Sequence, residues 1–120
     1  MAILNDKNYV EKAELVIKQI KDDRVGKQLT TTKIRNLLAL TSALYDAVQL
    51  QSFDSLMNRF NYLRVQFVYQ AGRDDAVKVF VEKAKILESL SEVNDKASLI
   101  RFCRYMEALV AYFKYYGGKD

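Results

Sequence analysis

Arg59, Tyr62, Gln66, Tyr69 and Arg73 follow one another at steps of three and four residues, so on a helix they share one face. Two guanidinium groups flank two phenols and an amide. Guanidinium makes paired hydrogen bonds to phosphate oxygens. Phenol rings stack on bases or hydrogen-bond to sugars. The chemistry this set supports is the grip of a nucleic-acid strand by its backbone. Arg64 lies between that face and the expected core stripe, where it extends the basic surface or pairs with a carboxylate. Lys33 and Arg35 fall in the first turn of another expected helix. Free backbone N–H groups there favour anions, while cations oppose the helix dipole. That placement makes sense if a phosphate arrives. The blander alternatives are a helix face packed on another helix and a solvated helix end.

The charge distribution points the same way. From Arg24 to Arg73 there are seven basic residues and two acidic ones, Asp46 and Asp54. The rest of the chain holds 12 basic and 13 acidic residues, so the whole excess of +4 lies in that block. Such asymmetry suits a polyanion-facing surface.

Bond-making chemistry has little to work with. There is no histidine, the usual general base near neutral pH and the commonest metal ligand. One cysteine cannot build a zinc site, and no glycine-rich phosphate loop is present. The Asp22-Asp23 and Asp74-Asp75 pairs read as loop and capping groups. Glu107 reads as an ion-pair partner of Arg104, three residues earlier. No catalytic residue, metal ligand or cofactor is expected, and the chain reads as a non-enzyme.

The elements that position these residues are helices. Four Gly and no Pro favour helix. The spacing predicts an all-α fold, a compact bundle of about five helices, in one domain over residues 1–120. The first helix runs from Asp6 to Lys21. The second follows Thr30-Thr31-Thr32, with Ile34, Leu37, Leu38, Thr41, Leu44, Tyr45 and Val48 at helical spacing. The third starts near Ser52, ends before Gly72 and is expected to bury Phe53, Leu56, Met57, Phe60, Leu63 and Phe67. The fourth begins after Asp74 or Asp75 and buries Val77, Phe80, Val81, Ala84 and Leu87. The fifth is capped by Asn94 or Asp95 and ended by Gly117. Lys119 and Asp120 are expected to fray.

The fifth helix is apolar nearly all round. One face carries Leu99, Phe102, Cys103, Met106, Leu109, Val110 and Phe113; a second carries Tyr105, Tyr112 and Tyr115. Such a helix is central in a core or shared with a partner, and the tyrosine side is the expected protein interface. Cys103 reads as a small hydrophobe, and a lone thiol suits a reducing cytoplasm. No secretory signal is visible, and no run approaches the ~20 apolar residues of a membrane span.

Three segments carry a family resemblance: Thr31-Thr32-Lys33-Ile34-Arg35-Asn36-Leu37-Leu38, Leu63-Arg64-Val65-Gln66-Phe67-Val68-Tyr69-Gln70-Ala71-Gly72-Arg73, and Phe102 to Gly118. The first resembles the TTxKIRxLL signature of the small subunit of the type III-A CRISPR effector, the Csm complex. The second resembles that family's central helix, and the third its FCRYMEALVAYxKxYGG ending. The resemblance covers essentially the whole chain.

It implies an all-helical, non-catalytic subunit whose copies stack head to tail in an inner filament. That filament lies beside the guide-bearing backbone subunits and meets the large polymerase-type subunit. It lines the channel where target RNA pairs with guide RNA. RNA cutting belongs to the backbone subunit, and DNase and cyclic-oligoadenylate chemistry to the large one. The motifs carry RNA contact onto Lys33, Arg35, Arg64 and Arg73; Arg59 is added from the helical face. The implied partners are both RNAs, the backbone and large subunits and neighbouring copies, with no membrane and a cytoplasmic setting. The competing readings are a helical scaffold that contacts only acidic protein partners and a stand-alone DNA-binding regulator, which would need a compact recognition helix.

Overall fold

The computed structural model describes residues 3–118. Lys119 and Asp120 lie outside them. Among the described residues the chain forms α1 (Tyr9–Asp22), α2 (Thr31–Leu50), α3 (Met57–Arg73), α4 (Asp75–Lys83), α5 (Ile86–Ser91) and α6 (Lys96–Tyr115), and no strands. Short 3-10 turns at Gly26–Gln28 and Asp54–Leu56 precede α2 and α3.

Side-chain caps set several of these ends. Thr30 Oγ1 accepts from the Lys33 N–H at 3.2 Å and starts α2. Asp74 accepts from the N–H groups of Ala76 and Val77 and starts α4 directly after α3. Asp95 and Ser98 form a reciprocal capping box at α6. Gly117, with φ +85°, ends α6 in the left-handed region, where a side chain would strain the turn.

α6 is the axis of the bundle. Leu99, Phe102, Cys103, Tyr105, Met106, Leu109 and Phe113 are all buried along it. α1 runs parallel to it: Arg101 pairs with Asp6 near one end, and the Tyr116 hydroxyl meets Glu14 near the other. α2 runs antiparallel to it. The Cys103 thiol approaches the Thr41 carbonyl, and the Thr31 hydroxyl reaches the Gly118 carbonyl. α3 packs across α2 and α4 and touches α6 where the Phe67 ring meets the edge of Phe102, centroids 6.3 Å apart.

Four expectations need correction. The fourth expected helix is two, α4 and α5, because Lys85 stands at φ 54° in the left-handed region and breaks the run. The break turns Ile86 and Leu90 into the core beside Val81 and Ala84. α1 begins at Tyr9 rather than Asp6, since residues 3–8 form a separate strap. Its Ile3 N–H donates to the Glu92 carboxylate, Lys12 donates to the Ile3 carbonyl, and Leu4 is buried. α3 begins at Met57, not Ser52, and continues through Gly72 to Arg73, and Met57, expected in its core stripe, is exposed.

Tyr105 is the fourth, and it is no interface residue. It is 1% exposed, and its hydroxyl donates to the Ala84 carbonyl at 2.8 Å. The α4–α5 break frees that carbonyl from helical bonding, and α6 supplies the donor. Burial pushes the phenol well above its ordinary value. Burial likewise pushes the Cys103 thiol up to about 12.

Tyr105→Phe removes the donor and leaves a buried carbonyl unpaired. It should cost about 1–2 kcal/mol in urea unfolding with the same fold; no loss would mean the hydroxyl does not hold the break. Acid should also act through the caps. Gly26 and Val25 N–H groups hold Asp23 below its ordinary 3.8, Lys33 does so for Asp74, and Ser98 does so for Asp95. Each folded-state value lies below the unfolded one, so this stabilisation is present above 3.8 and is lost as pH falls through the lower values. Melting temperature should therefore drop below about pH 4. Asn at the three positions keeps the caps without titrating and should flatten that limb; an unchanged limb would contradict this.

Candidate nucleic-acid interface

The Lys33–Asp74 ion pair, 2.7 Å long, fastens the start of α2 to the end of α3. The two helices are therefore antiparallel, with Arg35 and Arg73 at the same end of the pair. Arg59 stands at the other end, about 21 Å along α3 at the helical rise. Between them runs a groove lined by Ala39, Leu40, Ala43 and Leu44 of α2 and by Arg59, Tyr62 and Gln66 of α3. The α2 bank is apolar, and the one cation and the polar groups come from α3.

The expected site residues divide into three groups. Arg59 lines the groove, Arg73 is exposed farther along the same face of α3, and Arg35 is exposed in the first turns of α2. The Arg73 guanidinium lies 5.6 Å from the Tyr69 ring centroid, which holds it flat against the helix. Lys33 sits at the same end, but its ammonium serves Asp74. That hydrogen bond is the main reason the Asp74 carboxyl titrates below its ordinary value.

Arg64 is turned the other way. It donates to Ser91 Oγ at 2.8 Å and to the Leu87 carbonyl at 3.3 Å, so it ties α3 to α5 on the edge opposite the groove. The five cations therefore do not form one patch. Wheel geometry alone places Arg64 away from Arg59, because the two differ by five residues, about 140° of rotation.

The expected protein interface keeps Tyr112 and Tyr115 and loses Tyr105. Tyr115 is 77% exposed. Its ring packs edge-on against Tyr116, centroids 5.1 Å apart, and Tyr112 stacks on Tyr116 at 22°. Tyr116 and Lys18 belong to this cluster and were not expected there. The Tyr116 hydroxyl donates to Glu14, which with burial pushes the phenol up to about 12, and the Lys18 ammonium lies 5.7 Å from its ring. The run Tyr115-Tyr116 carried the signal; its partners on α1 did not. Arg104 does pair with Glu107, at 3.5 Å. It also lies over the Tyr45 ring and donates to the Tyr45 hydroxyl.

Among the described residues no group of three or more His, Cys, Asp or Glu side chains could hold a metal ion. No helix there is long and apolar enough to cross a membrane.

The sequence from residue 5 to 119 matches the family model described as Csm2 Type III-A. The chain is similar to curated proteins named CRISPR system Cms protein Csm2. One from Streptococcus thermophilus is 61% identical over 121 residues, covering 100% of both chains. One from Mycobacterium tuberculosis is 48% identical over 125 residues, covering 100% of this chain and 99% of that protein. A third, from Enterococcus italicus, is 37% identical over 126 residues, covering 92% of this chain and 89% of the other. With its helical fold and a match along nearly the whole sequence, the chain belongs to the Csm2 family, the small subunits of the type III-A CRISPR Csm complex.

Proposed function

We propose that this subunit is a non-catalytic clamp that holds guide–target RNA by its sugar–phosphate backbone in the α2–α3 groove. The observation that carries the reading is the groove face of Arg59, Tyr62 and Gln66, continued along α3 by the exposed Arg73, with Arg35 exposed at that same end of α2. Arginines at both ends of such a groove bind a strand without reading bases. That suits a complex in which base pairing with the guide supplies the sequence choice. Tyr62 and Tyr69 offer ring faces and hydroxyls to sugars and bases. Lys33 and Arg64 add positive potential while each holds a contact inside the fold.

Neighbouring copies stack through the Tyr112 and Tyr115 cluster, and the assembly joins the backbone and large subunits of the complex in the cytoplasm. Tyrosines that present an apolar ring and a polar tip are suited to such contacts.

The isolated protein should bind single-stranded RNA weakly and without sequence preference. With about four phosphates engaged, log affinity should fall against log salt with a slope of roughly −3. Reversing Arg59 and Arg73 to Glu should weaken all sequences alike and reduce that slope by about two. A flat salt response, or RNA crosslinking that survives the double reversal, would favour a scaffold whose cations meet an acidic protein. Tyr115→Glu should lower the number of copies in the purified complex, read by native mass spectrometry, while leaving the subunit folded. An unchanged copy number would remove that surface from the stacking contact.

A further inference from the structure

The groove ends on a carboxylate. Lys33 stands seven residues before Leu40 on α2, and Arg73 seven residues after Gln66 on α3. Seven residues are close to two helical turns, so both cations continue the faces that line the groove. Asp74 follows Arg73 directly, and its carboxylate lies 2.7 Å from the Lys33 ammonium. A strand running past Arg73 therefore meets an acid beside the cation that its next phosphate would use. Among the described residues no carboxylate pairs in this way with Arg35, Arg59 or Arg73.

The two oxygens of Asp74 have separate partners. Oδ1 accepts from the N–H groups of Ala76 and Val77, at 3.0 and 3.2 Å, and caps α4. Oδ2 takes Lys33. The ammonium can therefore leave without uncapping α4. The Lys33 backbone N–H stays on Thr30 Oγ1, so α2 keeps its start as well. The paired side chains are 39% and 25% exposed, which puts the pair within reach of solvent and of arriving anions. A phosphodiester carries the same single charge as the carboxylate, and a lysine ammonium binds either.

We propose that Asp74 is a built-in competitor for RNA phosphate: it holds Lys33 in the free subunit, and a strand that fills the groove draws the ammonium away and takes its place. The inference rests on the groove reading above and adds to it a residue that lowers affinity. Asp74 thereby weakens the grip of the unassembled subunit on stray RNA. The exchange is reciprocal: the pair opposes the strand, and the bound strand loosens the tie between α2 and the α3–α4 junction.

The test is fluorescence anisotropy of a labelled oligouridine with the full chain. Asp74→Asn keeps a capping side chain and frees Lys33. It should tighten binding by about fivefold at low salt, the worth of one half-exposed pair, and the gain should fade as salt screens that pair. Asp75→Asn makes the same change of charge one residue away, and should gain less than half as much. Lys33→Gln should weaken binding, and adding Asp74→Asn to it should restore no more than Asp75→Asn does. Asp74→Ser, a second uncharged cap, should repeat the result of Asp74→Asn. Saturating oligouridine should also protect Lys33 from acetic anhydride, read by mass spectrometry.

A gain no larger than that of Asp75→Asn would overturn the proposal, as would one that persists without Lys33. Weaker binding by Asp74→Asn would mean that the pair serves RNA only as a clasp between the banks, and would overturn it too. So would equal acetylation of Lys33 with and without RNA. Those results leave the groove reading standing; a wild-type chain that binds no RNA would remove both.

Discussion

One constraint organises the molecule: α6 has almost no side fit for water and must be enclosed. Leu99, Phe102, Cys103, Met106, Leu109 and Phe113 leave a narrow outer edge of Arg104, Glu107, Ala111, Lys114 and Tyr115. α1 and α2 close two flanks, and the α4–α5 corner closes a third through the Tyr105 hydroxyl. A tyrosine buried to 1% needs a hydroxyl partner, and a broken helix needs a donor for its freed carbonyl; each satisfies the other. Three buried aromatic rings, Phe67, Phe102 and Tyr105, link the second layer to this axis.

Because α6 takes the centre, α3 is pushed to the rim. It rests on α2 and α4 through Phe60, Leu63 and Phe67 and leaves most of its remaining circumference exposed. That circumference is chemically divided. One edge faces the α2 groove with Arg59, Tyr62, Gln66 and Arg73; the top carries uncharged Val65 and Val68; the far edge is fastened to α5 by Arg64. A single helix on the rim thus carries a basic, polar surface beside an apolar one. The Lys33–Asp74 pair fixes the register between α2 and α3 and so holds the groove's two banks in place.

Much of this was legible in the sequence, and the failures have physical causes. Helical periodicity placed the core stripes of α2, α3 and α6, because those stripes are continuous and long. Thr30, Asp74, Asp95 and Gly117 act at helix ends as their types suggested, since capping is local chemistry. The break at Lys85 gave no local sign: a lysine there costs backbone strain that only the burial of Ile86, Leu90 and Tyr105 offsets. Tyr105 was placed with Tyr112 and Tyr115 because they share a helix face; a wheel reveals direction but not what stands opposite. The cations were gathered by position in the sequence, whereas Arg64 and Lys33 find partners 27 and 41 residues away, on α5 and ahead of α4. Tertiary partners of that kind have no signature in spacing.

The central claim is that the α2–α3 groove of this small subunit carries the RNA strand. The most direct measurement is photocrosslinking of 4-thiouridine-substituted target RNA in the assembled Csm complex, followed by mass-spectrometric mapping of the modified peptides. The account predicts crosslinks on the peptides of α2 and α3 that hold Arg35, Tyr62, Tyr69 and Arg73. Crosslinks confined to α1 and α6, or none on this subunit while the neighbouring subunits are labelled, would contradict it.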